Sequence, residues 1–393
     1  MYDALSAKDG IFSSISTTVQ NENPNDGAST TKTNTTSNGN LSLRKDDLMS
    51  DMPTSTLRKR DEELQEERLM VSEAPSQLLY YLKRCNIEGA LQLASNSLGA
   101  TPQERKIVKE NGRLYLGQAV NTYMLPCDEG EEDRLDFLHT VFMAALSPPE
   151  LIHVPHSPNG RFLDLGCGTG LWTIEVAKAY PKAFVVGADI CAIQPGLHPS
   201  NCLFVTPFDF ELPWLIGEHE WDVINLRMGC GSVVNWPMLY QRIFGHLRVG
   251  GWFQQLEINF EPCYSSQSLE ETPLKLWYEL LKTATEESKR KIEHSATETQ
   301  KWLREAGFSD ISHEQVMLPL NQWSPNICRR VSRRYKAAFS DSIEPLCLAP
   351  FSRVFGWSQV EIQPLVMAAK REVLDQDRDV YHTLNLYRAR KAA

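Results

Sequence analysis

The stretch Phe162-Leu163-Asp164-Leu165-Gly166-Cys167-Gly168-Thr169-Gly170 constrains the fold more than any other part of the chain. A short apolar strand runs into three glycines at alternate positions, and a helix-patterned segment over 171–180 follows at once. Glycine is needed where the backbone turns sharply, or where a ligand must lie against it with no Cβ in the way. A helix that starts at such a turn offers unpaired N–H groups to an anion. The pattern predicts strand, ligand-binding turn and helix in that order, the opening unit of an open parallel sheet.

Two ligand classes use such a turn, and position 171 separates them. A dinucleotide loop carries glycine at the sixth place of G-x-G-x-x-G; here that place is Leu171. Asp164, two residues before the first glycine, suits the amino group of S-adenosylmethionine, whose carboxylate would take the helix N-terminus. Gly166, Cys167, Gly168 and Gly170 are the candidate loop contacts, and an NAD-dependent oxidoreductase is disfavoured. Asp189 closes the apolar strand that ends Val185-Val186-Gly187-Ala188, where a carboxylate can accept both ribose hydroxyls; Ile190 beside it is a further candidate. Asp209 follows the third strand and suits the adenine amino group, with Phe208 or Phe210 covering the ring. Ligands in open parallel sheets sit beyond the carboxyl ends of the strands. Asn225, Leu226 and Arg227, at the end of the fourth strand, therefore face cofactor or substrate.

The alternation continues along the chain. Strands are expected over 183–188, 202–206, 222–227 and 252–260, and helices over 131–146, 171–180 and 237–248. A helix over 297–307, a strand over 311–318, a mostly helical insertion over 325–375 and a last strand over 380–388 follow. The residues ahead of 131 read as a loop with two tyrosines and an acidic turn. Strands alternating with helices make this an α/β chain of the Rossmann-like kind, a seven-stranded, mostly parallel sheet with helices on both faces. That domain spans 105–393. Residues 1–56 are rich in Ser, Thr, Asn, Asp and Gly and too poor in apolar side chains to repay ordering, so a disordered tail is expected there. Residues 57–104 read as a helical extension, opened by Leu57-Arg58-Lys59-Arg60, which is either a solvated helix start or a nuclear-import signal.

Charge and cysteine usage narrow the function. A net charge of −10 argues against direct binding of nucleic acid, which needs clustered Lys and Arg. The one dense basic run is Cys328–Lys336, whose arginines share a helix face; it is either a solvated surface or a site for an acidic partner or chromatin. Nine cysteines with no CxxC pair suggest reduced thiols and no zinc site. No apolar run is long enough for a membrane span, and an intracellular protein is expected.

Together the loop and its acids resemble class I methyltransferases. Gly112-Arg113-Leu114-Tyr115, Tyr123-Met124-Leu125-Pro126-Cys127-Asp128 and Glu132-Asp133-Arg134-Leu135-Asp136, with Trp221–Met228 and Leu247–Glu257, resemble more narrowly the LaeA-like fungal methyltransferases. The likeness covers roughly 105–320 and is greatest to members that join velvet-domain proteins, such as the VipC methyltransferase. It implies S-adenosylmethionine as cofactor, a nuclear regulator of development and secondary metabolism (with the cytoplasm as a second location), velvet-domain partners, and a protein or small-molecule methyl acceptor. It also implies that Tyr115 and Tyr123 sit over the cofactor; packing of their loop on the sheet is the other reading. Cys127 departs from the Asn found in many relatives. The alternative function is a partner-binding subunit that keeps the cofactor fold with little catalysis. No catalytic base is identified. Glu257 is a candidate for substrate contact, and His246 reads as an ordinary helix residue. The turn Asn225-Leu226-Arg227-Met228 is not the Asn-Pro-Pro-Tyr of amide methyltransferases, and the paired glutamates of arginine methyltransferases are missing from 223–235.

Overall fold

The computed structural model describes residues 107–117, 123–214, 216–265, 272–321, 329–375 and 379–392; the expected tail 1–56 and extension 57–104 lie outside them. The first described residues are a hairpin, not the expected loop. β1 (Ile107–Glu110) and β2 (Arg113–Leu116) pair antiparallel. Asn111 and Gly112 turn the chain with φ of 50° and 78°, the left-handed pair that matches strand twist in a two-residue hairpin. The Asn-Gly dipeptide was the signal.

α1 (Glu129–Ala145) then starts at Asp128, whose side chain accepts the Glu131 amide. Alternation follows through β3 (Arg161–Leu165), α2 (Leu171–Ala179), β4 (Phe184–Ala188), β5 (Cys202–Val205), β6 (Trp221–Arg227), α3 (Trp236–His246) and β7 (Leu247–Tyr264). Next come α4 (Pro273–Glu287), α5 (Ala296–Glu305), β8 (Ser309–Pro319), α6 (Arg329–Val354), α7 (Gln359–Leu374) and β9 (Val380–Arg390). The sheet order is β5-β4-β3-β6-β7-β9-β8. Its first five strands are parallel, and β9 runs antiparallel between β7 and β8. This is the seven-stranded, mostly parallel sheet that the alternation predicts.

Period-2 side-chain direction explains the two layers. On one face Leu163, Leu165, Val186, Ile224 and Leu226 pack against Leu239, Tyr240 and Ile243 of α3. On the other, Phe162, Val185 and Val223 pack against Trp172, Val176 and Ala177 of α2. The expected insertion is the helix pair α6–α7 between β8 and β9. α6 contacts α1 and α4, and α7 contacts α4. α4 was not anticipated, although Thr272 caps it, Pro273 opens it, and Leu274, Trp277, Tyr278 and Leu281 are buried at helical spacing.

Candidate functional site

The glycine turn joins β3 to α2 at the carboxyl edge of the sheet. Gly166, Gly168 and Gly170 all have positive φ, at 64°, 56° and 79°. They do different work. A Cβ on Gly170 would lie 2.5 Å from the Phe204 ring, so that glycine lets α2 close onto β5. A Cβ on Gly166 would meet only Phe210 at 3.5 Å. There the missing side chain leaves open a cavity that Gly166 and Gly168 both line.

That cavity encloses about 970 Å³ with its mouth counted, at the upper end for ligand pockets. One wall holds Gly166, Gly168, Asp189, Ile190, Phe208, Asp209 and Phe210, so these sequence candidates are brought together, and Tyr123 joins them. Asp189 is held by two amides, Gly168 N donating to Oδ2 and Cys191 N to Oδ1, each at 2.7 Å. Each carboxylate oxygen has two acceptor sites, so one on each remains for a ligand hydroxyl. Burial pushes this carboxyl up to about 6 against the pull of those amides.

Other candidates lie elsewhere. Asp164 is buried beneath the turn, where Thr173 Oγ1 and Asn225 Nδ2 each donate to it at 2.7 Å. Burial raises it to about 6. It braces β3, α2 and β6 and does not line the cavity. Asn225, fully buried, bridges Asp164 to Gln254 and likewise stays behind the wall. Cys167 and Gly170 belong to the turn but not to the cavity lining. Tyr115 is fully buried with Met124 and Ala349, its ring beneath the Arg353 guanidinium at 4.8 Å; packing of its segment, not cofactor cover, is its place. Glu257 is also fully buried and accepts the amides of Gly229 and Cys230, fixing the turn after β6 instead of touching substrate. His246 is a helix-end residue, its Nδ1 donating to the Arg242 carbonyl. The expectation of unpaired amides at the turn also fails in part. Gly166 N and Cys167 N donate to Ala188 O, Gly168 N to Asp189 and Gly170 N to Cys167 O.

The opposite wall was not read from the sequence. It comprises Arg134, Leu138, Met228, Gly229, Cys230, Phe260, Arg290, Ile292 and Leu346. Both outer arginines are paired: Arg134 with Glu131 in a bidentate bridge at 2.6 and 2.8 Å, and Arg290 with Glu211 at 3.1 Å. Between the walls stands Arg227, the end of β6, whose Nε and Nη2 are buried without a partner. Burial lowers it to about 10. No residue of this second wall carries a motif; α1, α4, α6 and β7 deliver them from far apart in the chain.

The cavity suits an adenosyl sulfonium. A glycine-lined turn faces a carboxylate with spare acceptors, and aromatic rings flank Asp209. No group of His, Cys, Asp and Glu that could hold a metal ion occurs among the described residues. No helix among them is long and apolar enough to cross a membrane.

Comparison with known proteins agrees with this geometry. A family described as a methyltransferase domain matches residues 137–313. The chain is 54% identical over 284 residues to the protein-methionine methyltransferase laeA of Emericella nidulans, covering 72% of this chain and 76% of that one. It is 50% identical over 309 residues to the secondary metabolism regulator laeA of Aspergillus fumigatus, covering 78% and 83%. It is 38% identical over 308 residues to the secondary metabolism regulator LAE1 of Cochliobolus heterostrophus, covering 76% and 99%.

Proposed function

The chain belongs to the LaeA family of methyltransferases and secondary metabolism regulators, and on that premise we propose that it methylates the thioether sulfur of a methionine in a protein, with S-adenosylmethionine as methyl donor. The bound donor supplies a sulfonium methyl already activated for displacement. The protein's work is then alignment, which alone supplies about 7–11 kcal/mol of a barrier. Gly166 and Gly168 leave room for the amino-acid tail. Asp189 accepts the ribose hydroxyls. Asp209 accepts the adenine amino group between Phe208 and Phe210.

The acceptor wall carries the reading. Among its described residues no side chain is free to act as a base. Glu211 accepts from Val234 N, Asn235 N and Arg290. Burial pushes the Cys230 thiol well up beside Glu257, and Tyr123 likewise holds its proton. Methylation of an amine or hydroxyl requires a proton to leave; a thioether has none to lose. Leu138, Phe260, Ile292 and Leu346 offer the apolar contact that an uncharged sulfur prefers. The printed activity of the Emericella nidulans relative supports the same acceptor.

The test is transfer of label from methyl-tritiated donor to protein in a cell extract, with the labelled residue identified by mass spectrometry. Label is expected in methionine, and the Gly166→Ala, Gly168→Ala double variant should transfer none. Label confined to lysine, arginine or a small molecule would overturn this acceptor. The same family likeness supports a regulator of development and secondary metabolism that works in the nucleus with velvet-domain proteins. Capture of a velvet-domain protein from a nuclear extract by the full chain tests that role. Failure of capture together with full labelling activity would leave an enzyme without the partner.

A further inference from the structure

Arg227 is a buried cation with half of its donors unused. It ends β6, and its neighbour Leu226 is in register with Leu165, so it lies beside the start of the glycine turn. Its guanidinium is fixed from three directions. The carbon stands 5.4 Å over the Phe142 ring and 5.7 Å over the Trp172 ring. Nη1 lies 3.2 Å from His139 Nδ1. A guanidinium only donates, so Nδ1 must accept, and the His139 proton sits on Nε2, which donates to Glu175 Oε2 at 2.9 Å. What remains is Nε and Nη2, both buried and both without a partner. These two donors form the parallel side edge of the guanidinium, the edge that takes a carboxylate through two hydrogen bonds at once.

The glycine turn cannot supply the same service with the amides of Gly166, Cys167, Gly168 and Gly170, all of which donate within the protein. An amino-acid carboxylate lying along that turn therefore needs a donor from elsewhere. Arg227 is on the same cavity wall, immobilised and unsatisfied. We infer that the Nε–Nη2 edge of Arg227 clamps the carboxylate at the amino-acid end of the adenosyl cofactor, and that His139 and Glu175 hold it in that orientation. The inference rests on the cofactor named under the proposed function and adds the residue that selects its intact amino-acid tail.

Calorimetry on the full chain tests it with two ligands that differ only in the carboxylate: S-adenosylhomocysteine and its decarboxylated analogue, S-adenosyl-3-thiopropylamine. The wild-type protein should prefer the former by about 10- to 100-fold, the range for hydrogen bonds between charged partners. Arg227→Met should erase that preference while keeping the affinity for the decarboxylated analogue. Arg227→Lys, which keeps the charge without the fork, should retain part of it. A wild-type protein indifferent to the carboxylate overturns the inference even if neither variant folds. Equal loss of both ligands in Arg227→Met would make the residue structural and overturns it too. If the wild-type protein binds neither nucleoside, the cofactor assignment itself falls and takes this inference with it.

Discussion

The wall built around the glycine turn draws its cavity residues from a short run of chain, Gly166 to Phe210, whereas the facing wall gathers Arg134, Met228, Phe260, Arg290 and Leu346 from across the domain. The first wall is mostly backbone and strand-end carboxylates, set by β3, β4 and β5 lying side by side. The second is side chains held by buried ion pairs and aromatic stacking between α1, α4, α6 and β7. A nucleoside is the same molecule in every such enzyme, and a local backbone frame suffices to hold it. An acceptor varies, and its wall is made from the parts of the fold that vary.

The contrast predicts different consequences for single changes on the two sides. The largest belongs to Arg134→Met on the acceptor side. Glu131, only 1% exposed, would lose its bidentate partner and remain as a buried unpaired charge. Breaking such a pair costs about 3–5 kcal/mol. Chemical denaturation should show that loss, and a variant as stable as wild type would mean that the pair does not organise this wall.

Gly170→Ala should come next, on the cofactor side. A non-glycine residue in the left-handed region costs about 1–2 kcal/mol. Crowding of the Phe204 ring at 2.5 Å adds roughly 1–3 kcal/mol. Gly166→Ala shares only the first of these costs. It should remain close to wild type in stability while losing affinity for S-adenosylhomocysteine, because its Cβ enters the cavity. If the two alanine variants melt at the same temperature, the division between the packing glycine and the ligand-facing glycine is wrong.

These differences also mark how far the sequence could be read. The strand–turn–helix, Asp189, Asp209 and Phe210 were readable because each depends on neighbours within a few residues. The sheet order followed from the alternation. Asp164 misled because an acid before the first glycine can serve the ligand or the scaffold, and only the partners Thr173 and Asn225 decide. Glu257 misled in the same way, its partners being amides on the next strand's turn. Tyr115 was assigned by resemblance alone, and the hairpin that buries it was overlooked despite its Asn-Gly turn. Arg134, Phe260 and Arg290 carry no local signal at all, since what brings them together is the packing of α1, α4 and β7.

Asp189→Asn should have an intermediate effect, on binding and not on the fold. The variant keeps the shape but gives the ribose hydroxyls a neutral acceptor, at a cost of about 1.5–3 kcal/mol per lost charged hydrogen bond. A pH series sharpens the point. The Asp189 carboxyl is raised to about 6 by burial, and hydroxyl donors favour its ionised form, so binding is coupled to proton release. Affinity should fall as pH drops below about 6 and level off above it. The fold responds with the opposite sign: a raised carboxyl contributes stability below its unfolded value, near 4, and that contribution is lost as pH rises through 6. Affinity that stays flat between pH 5 and 8, measured by calorimetry, would remove Asp189 from the ribose.

The smallest effect should come from Phe260→Leu, which addresses the acceptor wall without touching its charges. Phe260 lies 2% exposed on β7 and stacks on Phe339 of α6 at 5.8 Å between ring centres, so the strand and the inserted helix meet behind the cavity. Replacing the ring by a smaller apolar group opens space there and costs about 1–2 kcal/mol, less than a full truncation. Affinity for S-adenosylhomocysteine should be unchanged, because no residue between Gly166 and Phe210 moves. The Michaelis constant for a methionine-containing protein acceptor should rise several-fold. The opposite result, weaker nucleoside binding with an unaltered acceptor constant, would mean that β7 and α6 support the cofactor and that the two walls are not separate in function.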